Sequence, residues 1–67
     1  MKGTVADLRN EVRQLAEEAF HLKMISGHGD GPNEDEYQLV LTGKPRHLSL
    51  EHARSFLRDL INQPNYN

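Results

Sequence analysis

Through the first third of the chain apolar residues return every three or four positions, at Val5, Leu8, Val12, Leu15, Ala19 and Leu22, and Ala16 and Phe20 widen the stripe on one flank. That spacing predicts an amphipathic helix. Thr4 stands just before it with Asp7 three residues on, a capping box with Asp in place of Glu, so the helix is expected to begin at Val5. Read as heptads, Val5, Val12 and Ala19 occupy a positions and Leu8, Leu15 and Leu22 occupy d positions, a combination that favours parallel helix pairs. These six residues are the candidate dimer interface, with Glu18 of one chain facing Lys23 of another. The competing reading packs the same stripe on the chain's own core.

The period breaks after Leu22. "LKMISG" can close the helix on Gly27 or open a short strand, and the strand is preferred because "YQLVLT", Tyr37 to Thr42, alternates with Tyr37, Leu39 and Leu41 on one face and needs a partner. Residues 22–27 supply that partner in a hairpin across residues 28–36; failing that, the strand pairs with its copy about a twofold axis. The last helix is announced by Ser49 as N-cap, Glu51 in the first turn and Leu48 placed to staple onto Ala53. Its inner face reads Leu50, Ala53, Phe56, Leu57, Leu60 and Ile61, and Asn62 and Pro64 end it. The expected fold is α+β, helix-strand-strand-helix, with two amphipathic helices on a short antiparallel hairpin completed by dimerisation. Residues 1–62 form one domain and 63–67 a flexible tail.

Composition supports a dimer as the brace. At 67 residues with 36% apolar content the core must be thin, and the absence of cysteine removes disulfides and thiolate metal sites. A net charge of −2 with both signs interspersed draws the whole molecule neither to nucleic acid nor to an anionic membrane. No apolar run approaches a membrane span and no hydrophobic segment follows the N-terminus, so a cytoplasmic protein is expected.

Candidate chemistry is confined to two stretches. "GHGDG" packs Gly27, His28, Gly29, Asp30 and Gly31 together, and Asp30-Gly31-Pro32 is strong turn punctuation, so the segment reads as a bend before it reads as a site. An EF-hand counted from Asp30 fails, with Pro32 third and Asp35 sixth, and His21, His28, His47 and His52 offer no HExxH spacing, so no metal is expected. The second stretch concentrates Lys44, Arg46, His47, Arg54 and Arg58. Pro45 spoils any phosphate-loop reading of Gly43-Lys44, but Lys44, Arg46, Arg54 and Arg58 make a candidate nucleic-acid patch. Against it stands pairing of the two helical arginines with Glu51 and Asp59. Ser26, Ser49 and Ser55 lack a nucleophile-elbow context, so no catalytic residue and no cofactor is assigned. The favoured function is a non-enzymatic homodimeric interaction or regulatory module, meeting an unidentified protein partner through residues 27–31 and Lys44, Arg46 and His47. The alternatives are a nucleic-acid accessory protein and, less favoured, a ligand or metal site at His28 and Asp30.

Overall fold

Thr4 opens the first helix as its sequence demands. In the computed structural model, which describes residues 4–63, its hydroxyl accepts the Asp7 N–H at 3.1 Å and the Asp7 carboxylate accepts the Thr4 N–H at 3.3 Å. Helix α1 runs Val5–His21 and closes in a Schellman arrangement: Lys23 donates its N–H to the Phe20 carbonyl at 3.0 Å and Met24 to Ala19 at 2.8 Å. Lys23 takes the left-handed conformation this motif needs, with φ 64°, where glycine would be the unstrained choice. Leu22 to Ser26 therefore form a link, not the expected strand.

The strand starts where a bend was expected. β1 is Gly27–Asp30, and it pairs antiparallel with β2, Glu36–Val40, in the register Gly27↔Val40, His28↔Leu39, Gly29↔Gln38 and Asp30↔Tyr37. Four of the five residues of "GHGDG" are thus strand. Pairing with β2 satisfies a backbone that local propensity alone would leave in a turn. Alternation puts His28 and Asp30 on the face of Tyr37 and Leu39, and turns Gly27 and Gly29 to the opposite face. Gly31 has a different role: a Cβ there would lie 2.9 Å from the Glu36 Cβ and 3.0 Å from its backbone carbon. Only glycine allows that close approach at the hairpin mouth.

A third strand, absent from the sequence expectation, follows. β3 is Arg46–Ser49, antiparallel to β2 with Tyr37↔Leu48 and Gln38↔His47, giving a β1-β2-β3 meander. It has only four residues and a single partly buried side chain, Leu48, so it shows no alternation to read. Its presence reverses the geometry. With two strands between them the helices would run antiparallel; with three, α2 (Leu50–Asn62) begins at the end where α1 begins. Val5 and Leu8 accordingly border the same depression as Ser49, Leu50 and Glu51, and Glu11 reaches Arg54 and Arg58. Ser49 caps α2 as expected, accepting the His52 N–H at 3.2 Å, and the Leu50 N–H donates to the Asp35 carbonyl at 2.8 Å, tying the helix start to the β1–β2 loop. Gln63 is the C-cap; the rest of the expected tail, residues 64–67, lies outside the described residues.

Both helices lie on one face of the sheet. Val12, Ala16 and Ala19 of α1, Ile25 of the link after it, Tyr37 and Leu39 of β2, and Leu50, Ala53 and Leu57 of α2 form the buried core. The candidate dimer stripe is divided by this packing. Val12 and Ala19 have no accessible surface in the single chain, so they have nothing to give an interface while the fold is intact. Leu8 and Leu15 are partly buried against the core; Val5 and Leu22 are exposed.

Candidate functional site

β1 presents the side chains that sequence singled out to the flank of α1. The His28 Nδ1 and the Tyr37 hydroxyl stand 2.8 Å apart and their rings stack at 5.9 Å between centroids, while Phe20 of α1 meets His28 edge-on at 6.1 Å. Tyr37 is 2% exposed, and burial holds its hydroxyl above the ordinary tyrosine pKa. The nearby carboxylates of Asp30 and Glu17 push the same way, against the guanidiniums of Arg13 and Arg9. Arg9 fastens the strand from outside, donating to Asp30 Oδ1 at 3.2 Å and to the backbone carbonyls of Glu34 and Glu36. Arg13, His28, Asp30 and Tyr37 border a shallow hollow of about 240 Å³. Asp30 and His28 are therefore occupied in bracing the β1 hairpin. Tyr37 and the arginines of α1, which complete this cluster, were missed in sequence because only the β1–β2 register brings residues so far apart together.

The two candidate partner-binding stretches do not form one surface. β1 is one edge of the sheet and β3 the other, so Gly27 to Gly31 are separated from Arg46 and His47 by the width of β2. His47 lies on the face away from the helices, where its Nε2 is 2.9 Å from Gln38 Oε1. Lys44 is exposed in the β2–β3 turn and Arg46 at the start of β3. The candidate nucleic-acid patch divides likewise. Arg54 and Arg58 pair with Glu11 of α1, at 3.4 and 2.8 Å, in place of the expected Glu51 and Asp59. This leaves Lys44 and Arg46 as its cations without a carboxylate partner among the described residues.

The two poles of the molecule differ in the charged groups they expose, and each keeps exposed apolar side chains. At the pole where both helices begin, two adjoining depressions of about 460 and 250 Å³ share Val5, Leu8 and Glu51. Asp7, Glu11 and Arg54 border the larger and Asp35 the smaller. At the other pole lie Lys23 at the end of α1 and the turn carrying Lys44, and neither lysine has an ion-pair partner among the described residues. Among the described residues the large apolar side chains left exposed are Val5 (52%) at the first pole and Phe20 (46%) and Leu22 (52%) at the second.

Among the described residues no three His, Cys, Asp or Glu side chains are grouped to hold a metal ion, and no helix is long and apolar enough to cross a membrane. No family model, no curated protein and no solved structure matches the chain.

Proposed function

We propose that this chain is a non-enzymatic interaction module whose first partner is another copy of itself, the dimer being its smallest assembly. One observation carries the reading: among the described residues the exposed large apolar side chains, Val5, Phe20 and Leu22, all belong to α1 or its C-cap. The core of this thin three-stranded layer with two helices takes up most of the apolar side chains among the described residues, and exposed apolar surface of the kind left over is what association covers. The polar clusters support the same reading, because His28, Asp30, Arg9, Arg54 and Arg58 are each engaged in bracing contacts. A nucleic-acid accessory role has less support, since two of its four cations are neutralised by Glu11. The test is a Phe20→Ser, Leu22→Ser variant: its helical circular dichroism should persist while chemical cross-linking into dimers falls at least tenfold. Undiminished cross-linking would take α1 out of the contact.

A further inference from the structure

We propose that copies of this chain associate head to tail, the basic β2–β3 turn of one entering the groove between the helix N-termini of the next. This deepens the self-association reading and rests on it. The groove has an apolar floor, Val5 and Leu8 with Leu50 beneath, a carboxylate rim of Asp7, Asp35 and Glu51, and one lining cation, Arg54, whose charge is met by Glu11. None of those three carboxylates has an ion-pair partner among the described residues, whereas Glu11 on the same rim is already shared by Arg54 and Arg58. What fits such a groove is a projecting segment with an apolar centre and a cation on each side.

The chain carries that segment. Thr42 to His47 are all exposed, and within them Lys44-Pro45-Arg46 sets an apolar ring between two cations that lack ion-pair partners. Gly43, at φ 78°, supplies the left-handed turn that makes the segment project. It cannot reach its own groove. Asp35 and Leu50 are joined at one end of β2, the turn leaves from the other end at Val40, and the strand between spans roughly 14 Å at ~3.4 Å per residue. The complement to the turn is therefore the groove of a second molecule. That contact also brings Phe20 and Leu22, at the turn's pole, towards Val5 at the groove's pole, so one interface covers these three exposed apolar side chains. Because donor and acceptor surfaces differ, the contact is heterologous and repeats from copy to copy. Because the contact is carried by one turn and a few exposed charges, a dissociation constant in the micromolar to millimolar range and strong weakening by salt are expected.

Sedimentation of the full chain at low salt tests this with two variants altered only at exposed side chains. Lys44→Glu with Arg46→Glu changes the turn, and Asp35→Asn with Glu51→Gln changes the groove. The expected result is a wild-type mass that rises past two chains with concentration and falls back in high salt. Each variant alone should associate at least tenfold more weakly, and their equimolar mixture should recover a dimer and stop there, joined by the intact turn of one and the intact groove of the other. A wild type that stops at a dimer, with both variants dimerising as well as it does, overturns the head-to-tail contact and leaves self-association standing. A wild-type monomer throughout overturns both. So does a monomer whose turn binds a single-stranded oligonucleotide and loses it on Lys44→Glu, Arg46→Glu, which assigns the turn to nucleic acid.

Discussion

Lys23 shows what a single backbone conformation is worth. It holds the left-handed position of a Schellman motif at φ 64°, where a Cβ costs about 1–2 kcal/mol. Lys23→Gly should raise stability by about 1 kcal/mol in urea denaturation, since the relieved strain exceeds the added entropy of the unfolded chain. Two glycines of the β1 hairpin, Gly29 within the strand and Gly31 just past its end, should respond in opposite ways. Gly31→Ala forces a Cβ against the Glu36 backbone and should destabilise by more than about 1 kcal/mol, whereas Gly29→Val meets nothing within 4 Å and should be neutral or stabilising. Equal responses would count against the pairing of β1. At Tyr37 the sign follows from burial. A folded pKa above the unfolded value of about 10 means that the neutral hydroxyl's contribution is fully present below that pH and is lost as pH rises through the folded value. Tyr37→Phe should cost about 1 kcal/mol at pH 7 by removing the bond to His28, and should shrink the alkaline loss of stability seen in a pH series of melts.

At the scale of elements, legibility tracked periodicity. Both helices carry a stripe several turns long and a side-chain cap, and the expected starts at Val5 and beside Ser49 match the structure. β2 was legible from the alternation of Tyr37 and Leu39, which the fold buries while Gln38 and Val40 stay partly exposed, but it runs Glu36–Val40, so Leu41 and Thr42, expected in the strand, fall in the turn after it. β1 and β3 are four residues each and owe their existence to β2, so nothing local distinguishes them from a glycine bend and a basic turn. The cost of missing β3 was the relative direction of the helices, and with it the placing of both N-termini beside one groove. The burial that holds these elements is concentrated. Leu57, with no accessible surface, joins α2 to the rest of the core, and Leu57→Ala should cost about 2–5 kcal/mol, enough to populate the unfolded state of so small a domain in calorimetry. A change under about 1 kcal/mol would mean that α2 is not docked as described.

For the whole molecule, the parallel helices and the three-strand meander produce a body with two unlike ends. Composition hid this, because a net charge of −2 averages over a carboxylate-rimmed pole and a lysine-bearing one. The sequence expectation of self-association through α1 survives as a proposal in altered form, with Val12 and Ala19 committed to the core and the exposed residues gathered at the helix ends. The most direct test is sedimentation equilibrium of the unaltered chain over a wide concentration series. Self-association predicts a weight-average mass that begins at 7.7 kDa and climbs to at least twice that value. A mass fixed at 7.7 kDa up to the solubility limit would contradict it.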